Sequence, residues 1–182
     1  MLICDNCISN WIFNFKNVQY STPTVNMFIN KDCFFNFIEN LEEILLTKNL
    51  EFEYREYSKY KNYTSNYKIL YNPKYDIEFH NLHEQNSLDE VTNSFNRRLE
   101  RLDFRKLVVV CHTRDNFEHR HLTRLSLVDL PKERKFLIST KKYTGLFTNI
   151  CLKTDKEDLP NIYEETELYL KNKDFKKLFK LI

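Results

Sequence analysis

The hydrophobic residues of this chain fall into short continuous runs and longer stretches with helical spacing. Residues 106–111 form a near-continuous apolar run, which is typical of a strand covered on both faces. Residues 135–139 form a second such run. Between the two runs, residues 118–130 have helical spacing and stop before Pro131. This half of the chain therefore predicts parallel strands connected by a helix.

The other half carries further segments of both kinds. Apolar residues at three-and-four spacing predict helices over 31–47 and over 87–102, and Ser87 with Glu90 matches the capping-box pattern at the start of the second helix. Further strands are predicted at 1–4, 24–29, 51–57, 75–80 and 149–152. Further helical segments are predicted just after Asn6 and over 162–182, whereas residues 58–72 are interpreted as a loop or an edge hairpin.

This alternation predicts an α/β protein, with a three-layer α/β/α arrangement and a mostly parallel sheet that can include an antiparallel strand at an edge. We expect residues 1–160 to form a single α/β domain and residues 161–182 to form a helical extension packed on it. A chain of 182 residues, 42% of them hydrophobic, is large enough to bury one substantial core.

Composition excludes several classes of function. With 28 basic and 26 acidic residues, the formal charge of +2 gives no support for a nucleic-acid partner. The only glycine is Gly145, so the repeated glycines of a Rossmann fingerprint or a phosphate-binding P-loop are missing, and we predict no cofactor. We predict no membrane insertion, because no run of 18 apolar residues occurs. The oligomeric state is left open.

The five cysteines are scattered, and their number is odd. The opening residues have neither the basic region nor the long apolar region of a secretory signal. We therefore expect reduced thiols and a cytoplasmic protein.

Polar and nucleophilic side chains follow several of the predicted strands. In open parallel sheets, ligands bind outside the carboxyl ends of the strands, so residues at these ends are candidates for one common site. The candidates are Asp5, Asn6 and Cys7; His80, Asn81 and His83; His112, Thr113, Arg114 and Asp115; and Ser139, Thr140 and Lys141.

A catalytic thiol is one interpretation of these residues. Cys7 is predicted near a helix N-terminus, where the helix dipole favours the thiolate, and His83 within reach would take its proton. Asp115 would then orient the histidine, while Asn6 and Asn81 would contact a substrate. The alternative is structural, with Cys7 as a small buried apolar residue and His83 as a satisfied core histidine.

A zinc site is a second interpretation, because Cys4 and Cys7 share the two-residue spacing of His80 and His83. Cys4, however, is predicted to lie inside a strand, so the two cysteines need not face the same point. We therefore assign no metal ligands.

Two groups of basic residues have both a functional and a structural interpretation. Arg97 and Arg98, with Arg101 on the same helix, are suited to binding an anionic substrate group, but such clusters are more often solvated helix faces. The His119-Arg120-His121 segment is interpreted as a surface patch at a helix start.

Taken together, five segments resemble an uncharacterised bacterial family usually labelled exopolysaccharide biosynthesis protein. The segments are Asp5-Asn6-Cys7, 21–24, 76–83, Phe95-Asn96-Arg97-Arg98 with Arg101, and 108–115. The resemblance covers about residues 1–140. It implies an α/β fold, a bacterial source and a link to surface polysaccharide or lipopolysaccharide gene clusters, but it supplies no reaction.

Three function hypotheses follow, and they leave open whether the protein is an enzyme. One of them is a structural remnant without activity, because the turn after Cys7 departs from the pattern of the family. The other two assign a function. The first is a transferase or hydrolase of surface-polysaccharide biosynthesis that acts on a sugar or sugar phosphate, with Cys7, His83 and Asp115 as catalytic residues. In it, Asn6, Asn81, Arg97, Arg98 and Arg114 bind the substrate. The second is a non-catalytic scaffold that binds a glycan or a protein through the aromatic-rich region from Tyr54 to Tyr71.

Overall fold

The computed structural model describes residues 1–19, 22–47, 49–59, 68–81, 87–114, 116–156 and 158–182. The strands in this part of the chain are β1 (Leu2–Cys4), β2 (Met27–Ile29), β3 (Glu53–Arg55), β4 (Ile69–Asn72), β5 (Ile77–Asn81), β6 (Val108–His112), β7 (Lys135–Ser139) and β8 (Thr148–Cys151). The helices are α1 (Ile8–Lys16), α2 (Lys31–Glu39), α3 (Leu41–Thr47), α4 (Leu88–Glu100), α5 (His119–Leu127), α6 (Thr166–Lys171) and α7 (Lys173–Leu181). The predicted α/β fold class is confirmed.

The first sheet is parallel throughout, with the strand order β1-β6-β7-β8. Its edge strand β1 pairs with β6, so that Cys4 lies opposite Val110. Because the strands are parallel, the residues that follow β1, β6, β7 and β8 all emerge at one edge. We call this the carboxyl edge.

The second sheet is antiparallel, with the strand order β2-β5-β4-β3. It adjoins the first sheet where the Ile29 N–H donates a hydrogen bond to the carbonyl oxygen of Asp5, at 3.0 Å. The expectation that the strand before His83 belongs to the same sheet as β1 is therefore wrong, because β5 lies between β2 and β4 in the antiparallel sheet. The loop or edge hairpin predicted for 58–72 is also corrected in its described part, since β4 is a buried inner strand.

Both faces of the parallel sheet are covered, as the apolar run of β6 predicts. Ile3, Val109 and Leu137 on one face belong to a core that also contains the buried residues of α2, α4 and α5 and of the antiparallel sheet. Leu2 and Val110 on the other face belong to a second core shared with α1, α6 and α7. The alternation of side chains along each strand sends neighbouring residues into different cores.

The helices follow their predicted signals closely. The capping box at the start of α4 is present, with the Ser87 hydroxyl and the Glu90 carboxylate each accepting a backbone N–H of the other residue. The helix predicted over 31–47 is divided at Asn40 into α2 and α3. The prediction that His121 belongs to a surface patch is wrong. His121 is buried, and its ring stacks on Phe35 of α2.

Candidate functional site at the carboxyl edge of the parallel sheet

Asp5 directly follows the outer strand β1 at the carboxyl edge, and it is completely buried. Its Oδ1 lies 2.6 Å from Nδ1 of His112, and its Oδ2 accepts the His112 backbone N–H at 3.1 Å. The ammonium group of Lys31, the first residue of α2, lies 2.5 Å from Oδ2. One carboxylate thus joins β1, β6 and α2.

The charges around Asp5 fix its ionisation. Burial alone would raise the pKa of its carboxyl group, but the nearby Lys31 ammonium and the hydrogen bond from His112 outweigh burial and hold the pKa well below its ordinary value. Asp5 is therefore a carboxylate at neutral pH and can only accept hydrogen bonds. We assign the proton of the His112 ring to Nδ1 for this reason, which leaves the lone pair on Nε2.

Nε2 of His112 is buried and has no hydrogen-bond partner among the described residues. A second buried nitrogen, Nδ2 of Asn30, also lacks a partner in this part of the chain, and Asn30 directly precedes Lys31. Unpaired buried polar atoms destabilise a fold, so a retained one in native structure calls for an explanation in terms of function or bound water. Asp5 thus orients the ring of His112, and the basic Nε2 of the ring has no partner among the described residues.

A cleft of about 320 Å³ opens at the same edge. Thr113 and Arg114, the two residues after His112, line it from β6, and Thr140 and Lys141 line it from the end of β7. The other described residues of the lining are Phe117, Tyr143, Asp158 and Leu159. The cleft lies within the size range of small-molecule sites.

The far wall of the cleft is fixed by hydrogen bonds. The Ser139 hydroxyl donates to the carbonyl oxygen of Lys141 at 2.6 Å. The side chain of Asn149 donates to the Ser139 hydroxyl at 2.7 Å and accepts the Tyr143 N–H at 2.7 Å. Residues 140–143 are therefore held in place before any ligand binds, which lowers the entropic cost of binding.

Cys7 lies at the same edge, as the N-cap residue of α1. Burial raises the pKa of its thiol, which opposes the expected activation by the helix dipole. The neighbouring Asn6 accepts the Ile8 N–H through its side-chain oxygen at 3.0 Å, so this amide is used in starting α1.

The remaining predicted site residues are dispersed. His83 and Asp115 lie outside the described residues, so the predicted grouping of Cys7, His83 and Asp115 stays a prediction. Asn81 ends β5 in the antiparallel sheet, opposite Met27. Arg97 and Arg98 lie in the last turn of α4, which leads to the amino end of β6 and thus to the edge opposite the cleft. Of the predicted anion-binding arginines, Arg114 lines the cleft.

The contact of Asp5 with Lys31 and His112 was missed at the sequence level. Part of this contact could have been predicted from the sequence. Asp5 follows the apolar strand β1, and His112 ends the apolar strand β6, so an acidic residue and a histidine stand at the same end of two predicted strands. Lys31 has no comparable signal, because a lysine in the first turn of a helix is ordinarily solvated. Among the described residues, no group of three histidine, cysteine or acidic side chains is placed to hold a metal ion.

A sequence model of one protein family matches residues 1–182, and its description is a domain of unknown function, DUF1919. The chain belongs to the DUF1919 family. No curated protein matches the chain. The carboxyl-edge site of this DUF1919 chain is therefore assigned from its own geometry. None of the described helices of the DUF1919 chain is long and apolar enough to cross a membrane.

Proposed function

We propose that the protein is an enzyme that acts on a sugar substrate in surface-polysaccharide biosynthesis, as a transferase or hydrolase, with its active site at the carboxyl edge. The observation that carries the proposal is the buried Asp5–His112 pair whose Nε2 is unpartnered in the described chain, one residue from a cleft. The link to polysaccharides comes from the sequence resemblance alone.

In this proposal His112 is the general base. Its Nε2 lone pair accepts a proton from a sugar hydroxyl or from water, and the Asp5 carboxylate stabilises the imidazolium that forms. Asp5 is a positioning residue, because it acts through His112. Lys31 keeps Asp5 ionised and fixed to α2, so the ring of His112 stays in one orientation. Because Nε2 is closed off from solvent, the reaction requires the covering side chains to move aside.

The experiment compares variants in the organism that encodes the chain. The gene is deleted, and the strain is complemented with the wild-type gene or with His112→Asn. The asparagine amide can still donate to Asp5 in place of Nδ1, but it has no counterpart of Nε2. The exposed His119→Asn on α5 is the matched control. Purified variants are compared by circular dichroism to verify folding.

The expected result is a surface polysaccharide that is restored by the wild type and by His119→Asn but not by His112→Asn. If the folded His112→Asn protein restores the polysaccharide fully, His112 is not the base and the catalytic proposal is wrong. That outcome, combined with a clear effect of the deletion itself, favours the scaffold alternative. The scaffold would use aromatic side chains such as Tyr57, which is 82% exposed.

A further inference from the structure

The described lining of the cleft at the carboxyl edge carries a net positive charge. Arg114 and Lys141 both line it, both are exposed, and neither forms an ion pair with any described residue. Arg124 of α5, by contrast, is paired with Glu39 at 2.7 Å. Asp158 is the one carboxylate in the cleft lining, so the described lining has two positive charges and one negative charge.

The neutral groups in the cleft add hydrogen-bond donors beside these charges. Thr113 follows β6 and its N–H donates to the carbonyl oxygen of Ile138 at 3.0 Å, which places it next to the end of β7, where Thr140 follows. A guanidinium fork, an ammonium group and two hydroxyls can donate more hydrogen bonds than the two oxygens of a carboxylate need. Such a set of donors suits the three terminal oxygens of a phosphate group.

An aromatic surface lies beside these donors. The rings of Phe117 and Tyr143 both line the cleft and contact each other edge to face, with centroids 6.2 Å apart. Aromatic faces bind the apolar faces of sugar rings.

We propose that this cleft binds the phosphate group of a sugar phosphate, with Arg114 and Lys141 as the phosphate ligands and the Phe117–Tyr143 pair against the sugar. The proposal rests on the proposed function, for which it names the substrate class. The volume of about 320 Å³ is sufficient for a monosaccharide phosphate.

The test is calorimetric titration of the purified full chain at low salt with four probes: glucose 1-phosphate, inorganic phosphate, glucose and glucuronate. The variants are Arg114→Gln and Lys141→Gln. Lys142→Gln is the matched control, since Lys142 is an exposed neighbour of Lys141 that does not line the cleft. All variants change exposed side chains, and circular dichroism verifies that each is folded.

We expect glucose 1-phosphate to bind more tightly than the other three probes. Each cleft variant should weaken this binding by about tenfold or more, since a hydrogen bond to a charged group has been removed. Lys142→Gln should bind like the wild type. Three results would overturn the proposal: no binding of glucose 1-phosphate at millimolar concentration, equal binding of glucuronate, or cleft variants that bind like the Lys142→Gln control.

The same titration separates this proposal from the catalytic one. His112→Asn should still bind glucose 1-phosphate, because Arg114 and Lys141 remain as the proposed phosphate ligands. If glucose 1-phosphate binds to the cleft but His112→Asn has no effect on the polysaccharide, the phosphate-binding proposal is supported and the assignment of His112 as general base is wrong. If His112→Asn abolishes the polysaccharide but the wild type does not bind glucose 1-phosphate, the general-base assignment is supported and the phosphate-binding proposal is wrong.

Discussion

Two buried histidines in this protein each contact an aspartate, and the two pairs use opposite ring nitrogens. His121, between α5 and α2, accepts the Glu118 N–H through Nδ1 at 2.8 Å and places Nε2 3.2 Å from Asp32. His112 places Nδ1 against Asp5, and its Nε2 has no partner in the described chain. Both nitrogens of His121 are thus occupied by the fold, whereas one nitrogen of His112 is left over. The difference separates a histidine that holds two helices together from one with a free basic atom.

The charges around the two aspartates differ as well. Asp32 is partly exposed and is shared among Arg120, His121 and Arg124 at the protein surface. Asp5 is fully buried, and its cationic partner Lys31 is also buried. Exposed pairs contribute little to stability, but a buried charge that loses its partner is strongly unfavourable. The contrast therefore predicts different costs for breaking each pair.

The largest expected effect comes from Asp5→Asn. It leaves the Lys31 ammonium buried without a counter-charge, so we expect the free energy of unfolding to fall by about 3–5 kcal/mol. Urea denaturation monitored by circular dichroism measures the change. The double variant Asp5→Asn with Lys31→Met should recover a large part of the loss, because it removes the unpaired charge. A double variant no more stable than Asp5→Asn alone would contradict this explanation.

A smaller effect on stability is expected for His121→Asn. The substitution removes the contact with Asp32 and the stacking on Phe35, so unfolding should become easier by about 1–3 kcal/mol. The surface polysaccharide should be unchanged in the complementation assay. An opposite outcome, with the polysaccharide lost in a stable His121→Asn protein, would mean that the two histidines have been assigned to the wrong roles.

The pH dependence of stability tests the same comparison. Burial lowers the pKa of His121 and of His80, so the folded protein keeps both rings neutral at a pH where the unfolded chain, with a pKa of about 6.5, takes up protons. The contribution of these two histidines to the free energy of unfolding is present above about pH 6.5 and is lost as the pH falls toward their lowered pKa values in the folded state. The free energy of unfolding should therefore be smaller at pH 5.5 than at pH 7.5, and His121→Asn should reduce this difference.

Asp5 acts in a separate range of pH. Its pKa is held low in the folded state, so its contribution is present above the unfolded value of about 3.9 and is lost only as the pH falls further. Denaturation curves from pH 7.5 to pH 3 resolve the two ranges. A loss between pH 7.5 and 5.5 that is unchanged in His121→Asn would exclude this histidine as a source.

The smallest expected effect concerns Cys7. Because burial raises the pKa of its thiol, we expect iodoacetamide to modify it more slowly at pH 7.5 than it modifies the same cysteine in the urea-unfolded chain. Mass spectrometry of the peptide that contains Cys7 measures both rates. Faster modification in the folded protein would instead support the predicted catalytic thiol.

The sequence predicted correctly those features of the fold that depend on residues close together in the chain. The apolar run of β6, the capping box at Ser87 and the strand–helix alternation depend on residues close together in the chain, and each of these predictions is confirmed. The buried strand β4 was missed because its flanking tyrosines, lysines and asparagines obscure the period-two pattern. Burial of β4 is imposed by its neighbours β3 and β5, which is a tertiary effect.

The site was predictable only as a location. The carboxyl edge follows from parallel strands, and Arg114, Thr140 and Lys141 were expected there and are found in the cleft. The Asp5–His112 contact requires that β1 lie beside β6, and no local pattern specifies which strands become neighbours. Lys31 adds a third element from α2, whose position depends on how the antiparallel sheet joins the parallel one.

The pairing of β1 with β6 also has a consequence for how the protein is assembled during synthesis. Asp5 and His112 are 107 residues apart in the chain, so their contact closes a long loop, whereas β4 and β5 meet within a short turn. No nascent chain that ends before β6 can complete the carboxyl edge. We expect the antiparallel strands to associate early and the parallel sheet later. β1 is thus synthesised well before its partner β6 and can pair only after β6 has been made.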